Sequence, residues 1–589
     1  MNNDLLKYPI FNNPESLRLA KRFKRKCPKE EKYISRLSFE LNMIIKKNFV
    51  DNILRARDVL DLIPDIPHII RGSSGSSLVC YLLDISFIDP VKHEISFARF
   101  LSEYRTSLAD FDFDISRSRR DEAFKRIFNK WGNKVARISN HVMYSHKGAI
   151  RKAIKELGYN HRVPKNQCNV DFFGPERRDE LTKLRDSFVG TQKCFSRHVG
   201  GIIFNDNGFN QDDLLNEKQV KFNKDDIDRL GLFKIDILSN RGLSQLFDIS
   251  KLSIEQYPEN DQKTIDLLCS ANNLGLTFGE SPAMKKILHT IQPKNINDLA
   301  ICLAIIRPCA AGNKEKYSES NYEEGMIIFD DDAINYIKTA INCSDDMADK
   351  YRRSFSKNKW QDINQFDYLI KNNKDKIKIK RDLGKLRKYS FCKAHSTSYG
   401  YLVWALAYQK AHNPKEFWIA TLNNCSSFYR PWVHFREAIN SGLEIKLGYR
   451  PWKLESDGKT LYSVNSKKTK GDIKITNKNL QYKIFGYWNH KEFLDDMYVK
   501  VINQKSSLVE FRGLIAIGKY HRKKVQGKYE YVTFVTIGYK NGYYVDLVLN
   551  KSRSISEYDI IKGTGTIVIH KNTKYIHLDV QEYKLSKLI

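Results

Sequence analysis

The sequence predicts a multidomain protein of the α+β class, because helical and strand patterns occupy different stretches of the chain. Apolar residues recur with helical spacing in the first 60 residues and again from about 246 to 440. Between these stretches lie short strand-like segments and further predicted helices over about residues 117–190. Five or so alternating strands with basic loops follow Ser506 within about 80 residues. This last stretch predicts a small β-barrel, with an OB-fold as the simplest interpretation and a β-sandwich as the alternative.

The chain carries a large excess of positive charge. It has 99 Lys and Arg against 69 Asp and Glu, which gives a formal net charge of +30 over 589 residues. Such an excess attracts polyanions, and nucleic acid is the partner that it most favours. An anionic membrane is the alternative, but that partner favours a basic amphipathic helix, whereas the basic clusters here are spread along the chain.

Nothing in the sequence indicates a membrane-spanning or a secreted protein. No apolar run approaches the roughly 20 residues of a membrane span, and the N-terminus lacks the apolar core of a secretion signal. The ten cysteines are scattered singly without a C-x-x-C pair, which argues against a structural zinc site. We therefore expect a cytoplasmic protein with reduced thiols and no membrane partner.

Three aspartates alternate with phenylalanines in "LADFDFDI" at residues 108–115. In a strand, Asp110, Asp112 and Asp114 share one face, where like charges repel one another. A solvated edge strand is one interpretation, and a calcium-binding loop is another. The loop needs Gly and Glu where this chain has Ile115 and Asp121, so that interpretation is set aside.

Two further segments can be joined to the aspartate strand. The turn "RGSSGSS" at 71–77 lies between a predicted strand and a predicted helix, where backbone N–H groups can seat an anion such as a triphosphate. Asp236 lies in the strand-like "GLFKIDIL", with Lys234 two residues earlier on the same face.

A Gly-Ser turn, an alternating aspartate strand and a distant aspartate suit nucleotidyl transfer. Two Mg²⁺ ions about 4 Å apart need carboxylates from adjacent strands, because Mg²⁺ prefers oxygen ligands. Basic residues from another region of the chain would then bind the phosphates. The candidates for this role are Arg352, Arg353, Lys357, Lys393 and His395.

These motifs together resemble the C family of bacterial replicative DNA polymerases, the alpha subunit of DNA polymerase III. "IRGSSGSSLV" is similar to the family's Gly-Ser turn, and "ISFARFLSEYRTSLADFDFDISRSRRDE" is similar to the run into and out of its aspartate strand. "SRHVGGIIF" and "FNKDDIDRLGLFKIDIL" resemble its second palm segment. "GLTFGESPAMKKIL", "AIIRPCAAG", "YRRSFSKNK" and "FCKAHSTSYGYLVWALAYQKAHNP" resemble successive finger motifs, in the family's order over roughly residues 35–420.

The resemblance implies a template-directed DNA polymerase that binds primer–template DNA and dNTPs, with single-stranded template at the OB-fold. It implies a metal-binding triad of Asp112, Asp114 and Asp236 with Asp110 beside it, holding two Mg²⁺ ions for which Mn²⁺ can substitute. The nucleotide would contact the turn and the fingers through Gly72, Ser73, Arg352, Arg353, Lys357, Lys393 and His395. Lys234 and His198 are candidate primer or phosphate contacts.

The resemblance also implies a palm like that of polymerase-β-type nucleotidyltransferases, with a mixed sheet, beside a helical thumb and helical fingers. The expected domains are N-terminal helices and the first palm segment at 1–143, the thumb at 144–190, the second palm segment at 191–245, the fingers at 246–440, a connector at 441–505 and the OB-fold at 506–589. The chain departs from the family at Ser76, where a glycine is expected, at Ala109, where a proline is expected, and at "FDDDA" (329–333).

Accessory functions are expected to be few. The family's N-terminal PHP domain has no counterpart here, so we expect no intrinsic proofreading exonuclease, and the size suggests a phage or mobile-element origin. "QYKIF" fits a clamp-binding pattern through Gln481, Ile484 and Phe485, although a plain strand is the alternative. A template-independent nucleotidyltransferase and a catalytically inactive DNA-binding scaffold remain the alternative functions.

Overall fold

The computed structural model describes residues 7–105, 109–158, 174–313, 317, 326–387, 391–464, 478–487, 494–525, 528–540, 543–550, 555–570 and 575–588. The α-helices are Pro14–Ala20, Glu31–Lys46, Val50–Asp61, Leu78–Leu82, Arg120–Trp131, His146–Glu156, Pro175–Phe188, Lys224–Leu230, Arg241–Ile249, Gln262–Cys269, Pro282–Ile291, Ile296–Ile305, Asp330–Ile341, Asp345–Lys357, Trp360–Leu369, Lys376–Gly384, Lys393–His412, Pro414–Asn424, Pro431–Asn440 and Lys478–Phe485. Short 3₁₀ turns are Pro9–Asn12, Ser73–Ser76, Phe97–Arg99, Arg117–Arg119, Gly132–Lys134, Gln211–Asp213, Ile254–Gln256, Ala311–Asn313 and Lys385–Arg387.

The strands form three sheets. Their bounds are β1 His68–Arg71, β2 Phe111–Ser116, β3 Val135–Met143, β4 Gln192–Phe204, β5 Leu214–Asn216, β6 Gln219–Val220, β7 Lys234–Asn240, β8 Glu444–Ile445, β9 Trp452–Leu454, β10 Thr460–Ser463, β11 Tyr498–Asn503, β12 Leu508–Val525, β13 Lys528–Tyr539, β14 Tyr543–Asn550, β15 Ile560–Ile569 and β16 Ile576–Ser586.

A seven-stranded mixed sheet with the order β1-β2-β7-β4-β3-β6-β5 carries the aspartates. The aspartate strand β2 lies near one edge, antiparallel to β1 and parallel to β7. The two phenylalanines of β2, Phe111 and Phe113, are fully buried, and Phe111 packs against Phe49, Phe100 and Phe233. Burying each ring stabilises the fold by about 1.5–3 kcal/mol, which offsets the repulsion between the aspartates on the other face.

Helices dominate residues 241–440 and form two cores. The larger core is built around the helix Lys393–His412, which is buried on nearly all sides from Ala394 to Ala407 and contacts the sheet with its first turns. The smaller core lies among the helices from Asp330 to Gly384 and includes Ile334, Phe355 and Phe366. We call this smaller unit the arginine-bearing unit, because its helix Asp345–Lys357 carries Arg352 and Arg353.

The C-terminal strands close into a barrel. They follow the order β11-β12-β13-β14-β16-β15, and β12 pairs with β15 as well, which closes the barrel. One pairing in it, β14 with β16, is parallel. From Gly518 to Val525, β12 pairs with β13 alone among the described strands, and β13 pairs with β14 as well from Val532 onward. Residues 522–525 and 528–531 therefore project as a two-stranded tip, and we call residues 518–525 with 528–535 the ribbon.

The structure confirms a mixed α and β fold with a mixed sheet, many helices and a C-terminal closed β-barrel. The helical prediction for residues 117–190 is wrong in its middle, where Val135–Met143 form β3. The first five residues of β3 are buried and pair with β4 and β6, which lie far along the chain and leave no local signal.

Two other segments complete the comparison with the sequence. Lys478–Phe485 is a helix, so the strand alternative for "QYKIF" is wrong. The connector contains a small sheet of β8, β9 and β10, and the barrel sheet begins at Tyr498, earlier than expected. The basic run at 465–477 lies outside the described residues. Within the described regions of the chain, no helix has the length and apolarity needed to cross a bilayer.

Candidate active site

Most of the sequence-predicted site residues line one cavity of about 650 Å³, which we call the pocket. They are Gly72, Ser73, Asp110, Asp112, Arg352, Arg353, Lys357 and His395, whereas Asp236 lies next to Asp112 without lining the cavity. One side of the pocket is the end of the mixed sheet, and the other is the arginine-bearing unit. The charged residues that line it are Arg71, Arg99, Arg105, Lys224, Arg352, Arg353, Lys357 and Arg387, together with Asp110, Asp112, Asp228 and Asp330. Eight basic side chains thus accompany four aspartates, so the pocket suits an anionic ligand that brings cations with it.

Asp112 and Asp236 lie side by side on adjacent parallel strands. The register of β2 against β7 pairs the two residues directly. Burial and the neighbouring Asp236 carboxylate raise the pKa of Asp112 well above its usual range. Two partly desolvated carboxylates therefore repel each other at this point of the sheet.

Lys234 neutralises some of this negative charge. Its Nζ lies 2.7 Å from Asp236 Oδ2 and 3.4 Å from Asp110 Oδ2. Burial alone would lower the pKa of Lys234, but Asp236 and Asp110 raise it above its usual value. The sequence placed Lys234 and Asp236 on one face, and the structure shows that the ammonium group binds the carboxylates.

The carboxylate cluster fits a divalent metal. Asp236 Oδ1 is buried and accepts no hydrogen bond from the described residues. Such an orphaned oxygen is costly unless a cation or a donor satisfies it. With Asp112 and Asp110 beside it, the oxygen-only donor set is the one that hard divalent cations prefer.

His198 lies behind Asp236. Its Nδ1 is 3.6 Å from Asp236 Oδ1 and accepts the backbone N–H groups of Gly201 at 2.7 Å and Gly200 at 3.3 Å. An Nδ1 that accepts these bonds places the ring proton on Nε2. Burial lowers the pKa of His198, which keeps the imidazole neutral at pH 7.

Asp114 is separated from the pocket although it shares a face with Asp112. It is only 2% exposed, and it does not line the pocket. The hydroxyl of Tyr399 and the Nδ2 of Asn240, at 3.1 Å, both donate to Asp114 Oδ2. The helix Lys393–His412 therefore covers this end of the aspartate strand, whereas Asp110 and Asp112 remain at the pocket.

Gly72 brings the turn against Asp112. Its φ is +87°, and a Cβ at this position would lie 3.3 Å from Asp112 Oδ2. Both facts favour glycine, because other residues rarely adopt this backbone conformation. Gly72 and Ser73 line the pocket as the sequence predicts.

The helix that follows the turn does not offer its N-terminus to a ligand. Glu40, which is fully buried, accepts the N–H groups of Leu78 at 2.9 Å and Val79 at 3.1 Å and the hydroxyl of Ser77 at 2.7 Å. The predicted anion seat at the start of this helix is therefore wrong, since a carboxylate of the chain already occupies it. Only the turn itself, at Gly72 and Ser73, faces the pocket.

The arginine pair is held by buried aspartates. Asp349, with no exposed surface, lies 2.9 Å from Arg352 Nε and 2.6 Å from Arg353 Nε. Arg352 Nη1 also lies 3.5 Å from Asp330 Oδ2. Lys357 lines the pocket from the same helix, so these three predicted contacts lie together.

Lys393 and His395 occupy different positions. The Nδ1 of His395 accepts the backbone N–H of Gly72 at 3.3 Å, and burial lowers the pKa of His395 to about 3, with Arg71 and Arg307 adding to the effect. A neutral imidazole therefore lines the pocket and fixes the turn. Lys393 does not line the pocket, because its Nζ points to Glu94 O at 3.5 Å.

Sequence reasoning missed several basic residues of the pocket. Arg71 directly precedes the Gly-Ser turn, and Arg99 and Arg105 lie in the run before the aspartate strand. Their proximity to the two motifs is a signal that could have identified them. Lys224 carries the same signal, because it lies in "FNKDDIDRLGLFKIDIL" with Asp236. Arg387 lies in none of these motifs, and the fold brings it to the pocket.

Two family models match this chain. A family model described as bacterial DNA polymerase III alpha NTPase domain matches residues 14–239, and one described as bacterial DNA polymerase III alpha subunit finger domain matches residues 243–376. The chain belongs to the alpha-subunit family of bacterial DNA polymerase III. The break between the two matches in this alpha-family chain falls at the end of β7, directly after Asp236 and its strand.

Relatives of this alpha-family chain include DNA polymerase III alpha subunits and error-prone DNA polymerases. The DNA polymerase III subunit alpha of Ureaplasma parvum is 27% identical over 457 residues, which are 67% of this chain and 47% of that protein. The same subunit of Mycoplasma genitalium is 28% identical over 480 residues, 70% of this chain and 55% of that protein. An error-prone DNA polymerase of Bdellovibrio bacteriovorus is 27% identical over 488 residues, 70% of this chain and 45% of that protein. This alpha-family chain thus spans about half the length of these relatives.

The segment predicted to bind a sliding clamp lies far along this alpha-family chain from the pocket motifs. Phe485 packs partly against the larger helical core, and its ring lies 5.2 Å from that of Tyr449. Ile484 is 40% exposed. Binding of a clamp through Gln481, Ile484 and Phe485 stays a prediction.

Proposed function

We propose that this chain is a template-directed DNA polymerase that adds dNTPs to the 3′-hydroxyl of a primer. The observation that carries this proposal is that Asp112, which pairs with Asp236 on the adjacent strand, lines a pocket whose other side bears Arg352 and Arg353. Paired carboxylates opposite two arginines suit the transfer of a nucleotidyl group from a triphosphate. The family of the chain supports the same activity.

The metal ligands that we propose are Asp110, Asp112 and Asp236, holding two Mg²⁺ ions for which Mn²⁺ can substitute. The chemistry that such ions supply is a lowered pKa of the primer 3′-hydroxyl and neutralisation of the triphosphate. Asp236 offers its orphaned Oδ1, and Asp112 lies beside it. Lys234 offsets some of the carboxylate charge, and we propose this role for it in place of a primer contact.

The residues proposed to bind the triphosphate are Arg352, Arg353 and Lys357, with Gly72 and Ser73 beneath the phosphates. Buried Asp349 fixes the two guanidinium groups, so little conformational entropy is lost when they bind a ligand. His395 keeps the turn in place by accepting the N–H of Gly72. His198 keeps its ring beside Asp236 through the N–H groups of Gly200 and Gly201, which makes it a positioning residue.

Asp114 is proposed as an anchor for the helix Lys393–His412. Its carboxylate accepts hydrogen bonds from Tyr399 and Asn240 and lies outside the pocket. Asn at this position still offers an oxygen to Tyr399. We therefore expect Asp114→Asn to lower the rate of primer extension far less than Asp112→Asn does. An equal loss would contradict the anchor role and would support Asp114 as a metal ligand.

Substitution of the paired carboxylates tests the site. We expect Asp112→Asn or Asp236→Asn to lower the rate of primer extension by about a hundredfold or more, because charge at the reacting centre is lost. Affinity for primer–template should survive, since the basic residues that attract DNA are unchanged. Asp225→Asn, an exposed carboxylate on the helix Lys224–Leu230, is the matched control. Extension near the normal rate in either site variant contradicts the assignment.

Primer extension on a defined template with each dNTP supplied separately tests the function. Template-directed synthesis inserts only the complementary nucleotide, whereas insertion of every nucleotide supports the template-independent alternative. No insertion, with primer–template binding intact, supports the inactive scaffold. A primer with a mismatched 3′ end also tests the expected lack of proofreading, since release of mononucleotides would contradict it.

We propose that the C-terminal barrel is an OB-fold that binds the single-stranded template. Its ribbon bears exposed rings: Tyr520 and Tyr531 stack on one face at 5.3 Å and are 45% and 36% exposed. Phe534 and His521 pair on the other face at 5.6 Å. Lys519 lies over the ring of Phe428 at 4.3 Å, close to these rings in the sequence. Exposed rings with adjacent cations suit the stacking of unpaired bases.

A further inference from the structure

Three consecutive aspartates, Asp330, Asp331 and Asp332, begin the helix Asp330–Ile341 at the edge of the pocket. Asp332 Oδ2 accepts the backbone N–H groups of Ile328 at 2.8 Å and Phe329 at 2.7 Å, so it caps its own helix. Asp331 accepts the backbone N–H groups of Ser96 at 3.2 Å and Lys393 at 2.9 Å. Both of these aspartates therefore hold the backbone together.

Asp330 differs from its two neighbours because its carboxylate lines the pocket. Its Oδ2 lies 2.8 Å from Arg99 Nη2 and 3.5 Å from Arg352 Nη1. Both guanidinium groups also line the pocket. One carboxylate oxygen of the chain therefore pairs closely with Arg99 and lies at ion-pair distance from Arg352, two arginines that the phosphates of a nucleotide would need.

We call Arg99, Arg352 and Arg353 the basic wall of the pocket. This wall has N–H donors beyond those that pair with the aspartates. Arg99 Nε and Arg353 Nη2 are buried and have no acceptor among the described residues. Asp330 and Asp349 thus leave some donors of the wall unsatisfied. Because buried donors without acceptors are costly, the wall is suited to an additional polyanion.

We propose that Asp330 sets the affinity of the pocket for the nucleoside triphosphate by competing with its phosphates for Arg99 and Arg352. The inference rests on the proposed function, because it takes a triphosphate as the ligand. A phosphate that binds Arg99 or Arg352 must then displace the Asp330 carboxylate or lie close to it, although both groups are negatively charged. Asp330 is an affinity-determining residue, and its removal strengthens binding.

Asp330→Asn is the test, because the amide keeps the shape and an oxygen for Arg99 but loses the charge. We measure the equilibrium Kd of the complementary dNTP on a complex with primer–template whose primer ends in a dideoxynucleotide, so that no chemistry occurs. Removing one negative charge next to the phosphates should lower this Kd by about tenfold. A purely structural role predicts an equal or a higher Kd, and that result would overturn the proposal.

Matched variants separate this competition from general charge. Asp228→Asn removes the same charge from another region of the pocket lining, on the helix Lys224–Leu230, and should lower the Kd by less than about threefold. An equal effect of both variants would show a general field in place of competition and would overturn the proposal.

A second neutral variant protects the test against misfolding. Asp330→Gln, with the melting temperature recorded for every variant, serves where Asp330→Asn does not fold, and a higher Kd in it likewise overturns the proposal. If the wild-type complex binds no complementary dNTP, the proposed polymerase function itself fails. If the wild type binds and both neutral variants bind no more tightly, only the inference about Asp330 fails.

Discussion

Two aspartates of one strand, Asp112 and Asp114, have different environments although they are two residues apart. Alternation along a strand predicts that both point to the same face, and the structure agrees. What covers each of them is set by residues that are distant in sequence. Tyr399 lies 285 positions from Asp114, so no local pattern reveals that this carboxylate is buried. The motif could therefore be predicted, but the division of labour within it could not.

The contact of Glu40 with the backbone of the helix after the turn could not be predicted from the sequence either. The sequence predicts a turn and a helix start at residues 71–78, and both are present. Glu40 lies in the middle of an amphipathic helix, where its pattern is that of an ordinary polar residue. Only the fold brings it to the N–H groups of Leu78 and Val79, 38 and 39 residues away.

Gly72→Ala should lower primer extension by more than about tenfold while leaving the chain folded. The positive φ costs a non-glycine residue about 1–3 kcal/mol, and the new Cβ would also contact Asp112 Oδ2 at 3.3 Å. Gly132→Ala is the matched control, because Gly132 has a φ of +54° with nothing within 4 Å of the added Cβ. Steady-state extension rates and melting temperatures of both variants check this. Equal losses of activity would show that backbone strain alone, and not the approach to Asp112, is responsible.

At the scale of elements, helices and strands with a strong periodic pattern could be predicted from the sequence. A strand that depends on distant pairing partners could not. The helix Lys393–His412 and the strands of the barrel were predicted because their patterns extend over many residues. Strand β3 was mistaken for helix, because its partners β4 and β6 are formed by residues far along the chain. A short apolar run between two helices does not distinguish a buried strand from a helix.

The helix Lys393–His412 contains a buried cation that should make stability depend on pH. Lys410 Nζ donates to Asn272 O, Asn272 Oδ1 and Leu274 O, each at 2.8 Å, and burial lowers its pKa to about 8. Between this value and the ordinary value of 10.5, the unfolded chain binds more protons than the folded chain, so stability rises with pH.

The expected size of this effect can be measured against a variant without the charge. From about pH 7.5 to about pH 9.5, the free energy of unfolding of the wild type should rise by roughly 2 kcal/mol relative to that of Lys410→Met. Urea denaturation at both pH values measures the difference. A difference between the two proteins that stays constant with pH would show that Lys410 titrates normally.

At the scale of the whole molecule, the net positive charge is the feature that favours binding of nucleic acid. The net charge of +30 predicts a polyanionic partner, and the pocket and the ribbon are two places where such a partner can bind. The mixed sheet, the helical region and the barrel follow one another in the order that the sequence indicated.

Substitution of the ribbon tyrosines should weaken binding of the single-stranded template without weakening binding of the duplex. Tyr520→Ala with Tyr531→Ala should weaken binding of a primer–template with a long 5′ single-stranded overhang, by about 1–3 kcal/mol for each stacked base that is lost. Binding of a blunt duplex should change little. Fluorescence anisotropy with the two DNA forms measures this, and Tyr543→Ala, an exposed tyrosine on β14, is the matched control. Equal weakening of both DNA forms would contradict a role in template binding.

The separate core of the arginine-bearing unit has a consequence for motion. Arg352 and Arg353 belong to this unit, whereas Asp112 and Asp236 belong to the mixed sheet. Near its first and last residues the unit is joined by the parallel bridge between Phe329 and Phe391, with the N–H of Asp330 donating to Phe391 O at 2.8 Å. The helix Lys393–His412 that follows this bridge is anchored to the sheet through Tyr399 and Asp114. Any displacement of this unit relative to the sheet would change the distance between the arginines and the carboxylates while leaving each set internally unchanged.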